Sequence, residues 1–201
     1  MFLGGTDTTS SALEWAMCEL VRNPMIMKKA QEEVRTVVGH KSKVEESDVN
    51  KMQYLKCVMK ETLRIHPPTP LLAPRVTRSD VKVNGYDIPE KTMVYINAWA
   101  MQMDPKLWER PQEFVPERFE NIEVDFKIQE NFLFIPFGFG RRGCPGTNFA
   151  ITSIEYVLAN LLYWFDWKLP GTATDIDMTE IFGLVVSKKL PLLLKPTTFS
   201  S

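Results

Sequence analysis

The sequence predicts a mainly α protein with small β-sheets, an α+β class, and three observations predict it. Four runs keep apolar residues at helical spacing: Met1 to Asn23, Asn23 to Gly39, a run through Met52, Leu55, Met59 and Leu63, and Asn148 to Trp164. Short extended signals lie between them. Chief among these is Asn84-Gly85, flanked by Val81-Lys82-Val83 and Tyr86-Asp87-Ile88, the pattern of a hairpin with a type I′ turn. Finally, Pro67 to Pro74 holds four prolines and must be extended.

With 201 residues, 44% hydrophobic and 24% charged, the chain is long enough for one domain with a sizeable core. A net charge of −1 gives no support to a general nucleic-acid or anionic-membrane role. Cys18, Cys57 and Cys144 lie far apart, which argues against a disulfide framework and for a reducing compartment. No zinc spacing, internal repeat, linker, low-complexity stretch, signal peptide or membrane-length apolar run is visible.

In the first helix Phe2, Leu13, Ala16, Met17, Leu20 and Val21 are the apolar positions. Its opening, Gly4-Gly5-Thr6-Asp7-Thr8-Thr9, is unusual, because each glycine costs about 1 kcal/mol in a helix interior. Thr8 stands one turn after Gly4, so its hydroxyl can bond the Gly4 carbonyl and bend the helix. The result is a groove lined by a hydroxyl, with the Asp7 carboxylate beside it. The same residues also suit a polar helix start with Thr6 or Asp7 as the cap.

Asn23-Pro24 opens the second helix as cap and first position, and Gly39 closes it. Ser47-Asp48 reads as the next cap. The helix after it carries Glu61 and Arg64 at i,i+3, a pair that is either a surface ion pair or a buried one. His66 is a helix-end residue. Arg75 begins an alternating stretch, Thr92 to Ile96 is a strand, and Asn97 to Met103 is a short helix. Trp108 to Phe119 has little periodicity and contains Pro111-x-x-Phe114-x-Pro116-Glu117-Arg118-Phe119. Glu120 to Asn131 is acidic and exposed. The last helix points Phe149, Ile154, Val157, Leu161 and Leu162 to the core, and Trp167 to Pro170 ends the helical region. Phe182 to Lys195 is a closing pair of strands turning near Lys188-Lys189.

The densest chemistry is Phe137-Gly138-Phe139-Gly140-Arg141-Arg142-Gly143-Cys144-Pro145-Gly146. Glycines let the backbone turn with positive φ and let a ligand approach. Two arginines and a following helix N-terminus stabilise a thiolate. Cys144 is thus a nucleophile, a metal ligand, or a buried apolar side chain.

Phe137, Gly140, Arg142, Cys144 and Gly146 fill Phe-x-x-Gly-x-Arg-x-Cys-x-Gly, which resembles the haem-binding loop of the cytochrome P-450 family. Three further motifs agree in order: Gly-x-Asp-Thr-Thr at 5–9, Glu-x-x-Arg at 61–64 followed by His66-Pro67-Pro68, and the Pro-rich meander ending at Phe119. The whole chain is similar to the carboxy-terminal part of a plant microsomal member. The resemblance implies haem b held by the Cys144 thiolate, with Phe137 shielding the sulfur, Gly146 permitting close approach, and Arg75 and Arg142 on the propionates. It implies that Asp7 and Thr8 deliver protons to dioxygen, and that Glu61, Arg64 and Arg118 form a buried structural network. Gly4, Thr69, Leu71, Leu72, Ala73, Phe182, Gly183 and Leu184 are then substrate-pocket residues.

The implied reaction is insertion of one oxygen atom from O2 into a small organic substrate, with NADPH electrons arriving through a flavoprotein reductase. Thr8 favours this over peroxide rearrangement, and neither histidine stands in a motif that suits a cysteine nucleophile. A non-catalytic remnant that binds little haem is the alternative. The sequence opens inside a helical pattern with no cap before it. On the resemblance, residues 1–201 are therefore expected to be the carboxy-terminal fragment of a single domain. The endoplasmic-reticulum anchor, on the cytosolic face, and several helices lie amino-terminal to it.

Overall fold

The computed structural model describes residues 2–120, 133–171 and 175–199, with side chains from Gly4 onward. Four helices make the frame. α1 spans Phe2–Arg22 and buries Ala12, Ala16, Met17 and Leu20, one stripe at helical spacing. α2, Pro24–Val38, buries Met27, Ala30, Val34 and Val38. It has proline in its first turn, and Gly39 at its end takes φ +61°, ψ −136°, a backbone state that side chains with a Cβ avoid. Asn23 stands at the cap position without capping: its Nδ2 donates backward to the Glu19 carbonyl at 2.8 Å.

The next cap is Glu45, two residues before the expected Ser47. Glu45 and Asp48 exchange side chain and backbone across a capping box, and Lys41 sits 2.7 Å from Asp48. The short helix α3, Glu46–Val49, follows. α4, Gln53–Ile65, is capped from outside its own sequence: Glu33 of α2 accepts from the amides of Tyr54 and Leu55, both at 2.8 Å. This uses two of the orphan donors every helix start exposes.

α6, Thr147–Trp164, packs on α1, α2 and α4 through Ile154, Leu158, Ala159 and Leu162. Of the residues expected to face inward, Phe149 is 78% exposed and Val157 40% exposed. Leu158 takes the place that the pattern assigned to its neighbour, because the buried stripe runs at a strict i, i+4 step.

The strands are short and paired in twos. β1, Arg75–Val76, pairs with β4, Met93–Val94, less than the Thr92–Ile96 strand expected. β2, Val81–Val83, and β3, Tyr86–Ile88, form the predicted hairpin, with Asn84 and Gly85 at φ +51° and +88°. α5, Ala98–Gln102, is capped by Asn97 Oδ1, which accepts from Ala100 N.

The carboxy-terminal pairing differs from the expected one. β5, Phe165–Lys168, follows α6 directly and pairs with β8, Lys195–Thr198. β6, Glu180–Ile181, pairs with β7, Ser187–Lys188, so the turn falls at residues 182–186 and not at Lys188-Lys189. Lys188 is buried over the Trp15 ring. Two consecutive lysines suggested a solvent turn, but Trp15 draws the first inward. Glu120 is exposed, and the rest of the acidic stretch, 121–131, lies outside the described residues.

Candidate functional site

The cysteine loop is a chain of tight turns. Gly138 N donates to Ile135 O and Gly143 N to Gly140 O, both at 2.9 Å. Gly138 and Gly140 each have φ +69°, so a side chain at either would be strained. Cys144 N donates to Phe137 O at 2.9 Å, which folds the loop back on itself, and Thr147 Oγ1 returns to Cys144 O at the same distance. Three residues after the cysteine, the 18-residue α6 begins. Its free amide ends favour negative charge beside the sulfur.

Cys144 is exposed. It shares a cavity of about 420 Å³ with Phe137, Gly138, Phe139 and Asn148. Cys18 and Cys57 are buried, and burial pushes the Cys18 thiol up to about 12. Those two act as apolar side chains, while Cys144 presents its sulfur outward. Phe137 is half-buried and packs against the main core. A Cβ built on Gly146 would meet the Cys144 Sγ at 3.9 Å, an ordinary contact, so the protein itself leaves room for a small side chain there.

The arginines converge on the neighbouring rim. Arg75 of β1 donates through Nη2 to the carbonyl of Arg142 at 3.1 Å, joining segments 67 residues apart. Ala73, Arg75, Arg141 and Arg142 line one open cleft of about 880 Å³. Leu72, at φ +52°, lies against the loop: a Cβ on Gly138 would be 3.6 Å from its Cδ1. Thr69 closes the preceding turn through its carbonyl, which accepts from Leu72 N.

Leu71 and Phe182 meet elsewhere. They line a separate cavity of about 250 Å³ with Trp15, His66 and Trp99. Gly183 and Leu184 stand at the exposed tip between β6 and β7, Leu184 being 83% exposed. The expected pocket residues are therefore scattered: Leu72 lies at the cysteine loop, Ala73 on the arginine cleft, Leu71 and Phe182 on this apolar cavity, and Gly183 and Leu184 at the hairpin tip.

On α1, Thr8 Oγ1 donates to Gly4 O at 2.8 Å, the bond the spacing predicted. Asp7 is exposed, and a Cβ on Gly4 would meet nothing within 4 Å. The helix is already running at Phe2, so neither Thr6 nor Asp7 caps its start.

The ion cluster is fully formed. Arg64 forks onto Glu61 with Nε–Oε2 at 2.7 Å and Nη2–Oε1 at 2.8 Å, and both side chains are completely buried. Arg118 Nε reaches Glu61 Oε1 at 3.1 Å, and Val115 N donates to the same oxygen at 2.9 Å. Arg118 also donates to the carbonyls of Glu109 and Arg110. Such a pair is costly to desolvate and costly to break. Sequence reading missed Gln102, fully buried, which donates to the Leu63 and Arg64 carbonyls and accepts from Ile135 N at 3.2 Å. It links this cluster to the segment leading into the cysteine loop. Nothing in a lone glutamine between two methionines signals that.

Among the described residues no cluster of three or more His, Cys, Asp or Glu could hold a metal ion. The donor set at the loop is one sulfur with guanidinium groups nearby. That suits a metal which brings its other ligands with it and carries carboxylates of its own.

The family model described as Cytochrome P450 matches residues 1–195. The chain belongs to the cytochrome P-450 family. Haem, the family's cofactor, fits the donor set just described. Relatives include the phenylacetaldehyde oxime monooxygenase of Prunus mume, 57% identical over all of this chain and 39% of the relative's length. Cytochrome P450 71A1 of Persea americana is 60% identical over 96% of this chain and 39% of its own. The desmethylyatein synthase of Sinopodophyllum hexandrum is 54% identical over all of this chain and 41% of its own. The chain thus spans about 40% of the length of the curated relatives it matches. Among the described residues of this P-450 chain, no helix is long and apolar enough to cross a membrane.

Proposed function

We propose that this chain is a portion of a single haem domain, at its carboxy-terminal end, of a monooxygenase. The reaction is insertion of one atom of O2 into a small organic substrate of secondary metabolism. Electrons come from NADPH through a flavoprotein reductase at the endoplasmic reticulum. The observation that supports this best is the outward-facing Cys144 sulfur, set in a glycine loop at the start of α6.

On this reading Cys144 holds the iron, and Arg75 and Arg142 take the propionates. Phe137 shields the sulfur, and Gly146 permits close approach to the loop. Bound haem supplies oxygen activation, helped by the electron density of its thiolate ligand. Thr8 holds a proton on its hydroxyl. That hydrogen now bonds Gly4 O, and releasing a bond of this kind costs about 1 kcal/mol. Rotation about one side-chain torsion then turns the hydroxyl into the groove. The exposed Asp7 carboxylate exchanges protons with water and resupplies it. Glu61, Arg64 and Arg118 take no part in the reaction and hold the frame. Gly4, Thr69, Leu71, Leu72, Ala73, Phe182, Gly183 and Leu184 face the substrate.

One observation favours a second reading, a remnant that binds little haem. Phe149, Phe182 and Leu184 are 78%, 77% and 83% exposed, and large apolar side chains left open to this degree favour association.

The deciding experiment supplies the chain with haem, reduces it, adds carbon monoxide and records the Soret band. A strongly red-shifted band that Cys144→Ser abolishes is the expected result. A bound haem whose band does not shift in this way rules out sulfur ligation, and no bound haem at all favours the remnant.

A further inference from the structure

His66 has no part in the chemistry above. It ends α4, yet its side chain is 10% exposed. The ring lies flat on the indole of Trp15, with centroids 4.2 Å apart and planes 3° apart. Nε2 is 2.8 Å from Glu19 Oε1 on α1. Nδ1 is buried without a hydrogen-bond partner, and Glu180 Oε1 of β6 stands 3.7 Å from it. That is ion-pair distance, too long for a hydrogen bond. With a carboxylate at each end, the ring is best satisfied as an imidazolium, in which both nitrogens are donors.

The other charged groups here are Arg22, 3.7 Å from Glu19, and Lys188 of β7, 5.4 Å over the Trp15 ring. Cys18 and Glu14 flank them on α1, and Asp177 accepts from Lys188 through its carbonyl. Burial pulls the imidazole pKa down, the carboxylates of Glu180 and Glu19 raise it, and the net direction is upward.

The β6–β7 hairpin has two residue pairs, too few to stand alone. Its β7 side is fixed by Val186 N to Pro68 O and by Ser11 Oγ to Val186 O, both at 2.8 Å. Its β6 side carries Glu180, two residues before Phe182. Phe182, Leu71, His66 and Trp15 line one cavity of about 250 Å³.

We propose that His66 is a positioning residue. Bonded to Glu19 and facing Glu180, it ties the β6 side of the hairpin to α1. It thereby sets the gap between Phe182 and Leu71, and with it the size of apolar group this cavity admits. The link to substrate size rests on the monooxygenase reading, whereas the tether itself does not. The tether is complete below the ordinary imidazole pKa of about 6.5, and it is lost as pH rises through the raised value.

Amide hydrogen exchange of residues 178–188, corrected for the chemical rate, tests the tether in the intact protein without haem. Protection of these amides should fall roughly tenfold between about pH 6 and about pH 9. Glu180→Gln and His66→Gln should exchange roughly tenfold faster at the lower pH and show no further step, with Gln53–Ile65 unaffected. Glu180 is one-third exposed, so its variant folds even if the His66 variant does not. A wild-type tip with no pH step, or an unaltered tip in Glu180→Gln, overturns the tether.

Binding of benzene, propylbenzene and hexylbenzene, read by quenching of the cavity tryptophans Trp15 and Trp99, tests the size function. Glu180→Gln should shift preference towards the longer chains, and an unaltered ranking overturns that half. Failure of the carbon monoxide band with both results intact would count against the haem reading alone.

Discussion

Glu155 faces inward on α6, and burial pushes its carboxyl up to about 7 against the opposing pull of Lys56 and Lys60. A carboxyl that prefers its proton in the folded state weakens the fold as pH climbs from about 4.5 to about 7. Glu155→Gln should therefore match wild type below about pH 4.5 and exceed it by roughly 2–3 kcal/mol above pH 7. Urea titrations at the two ends of that window measure the difference. Thr8→Ala removes only a hydroxyl bonded to its own helix. It should leave stability within about 0.5 kcal/mol and retain the carbon monoxide band while lowering product formed per NADPH consumed. Equal coupling in the two proteins would take Thr8 out of the reaction.

At the scale of elements, Gly39 ends α2 with φ +61°, and a Cβ there meets nothing within 4 Å. Gly39→Ala then costs backbone strain alone, about 1–2 kcal/mol, visible in the denaturation midpoint. Glu61→Ala leaves two guanidinium groups without their shared partner and should cost about 3–5 kcal/mol by the same measurement. The Glu61–Arg64 contact was legible in the sequence because i,i+3 spacing on a helix forces proximity. Its complete burial was legible only through resemblance, since burial depends on Arg118, Gln102 and Trp108 arriving from far along the chain. The Asn84-Gly85 hairpin and the Thr8–Gly4 bond were read directly, being local. The cap on α4 was not, because Glu33 lies on another helix. The partner of the last strand was missed for the same reason: β8 pairs across nearly thirty residues with β5, and alternation in sequence does not name a partner.

For the molecule as a whole, the core is continuous through α1, α2, α4 and α6, but Phe149, Phe182, Leu184 and Leu193 remain largely open to solvent. Isolated at high concentration, the chain should self-associate, and light scattering should report it. Replacing Phe149 and Leu193 by Ser should reduce the scattering without lowering the unfolding free energy by more than about 1 kcal/mol. The cysteine loop was legible as a candidate site because five motif positions fall within ten residues. The scattering of the pocket residues was not, in part because Thr69 to Ala73 turns sharply and sends Leu71, Leu72 and Ala73 to different rims.

The guanidinium of Arg75 rests on the Arg142 carbonyl before any anion arrives. If Arg75 takes a haem carboxylate as proposed, that donor is already held by the loop, and less motional freedom would have to be surrendered on contact. One surface contact between a strand and a distant loop would thus do part of the ordering that binding otherwise has to supply.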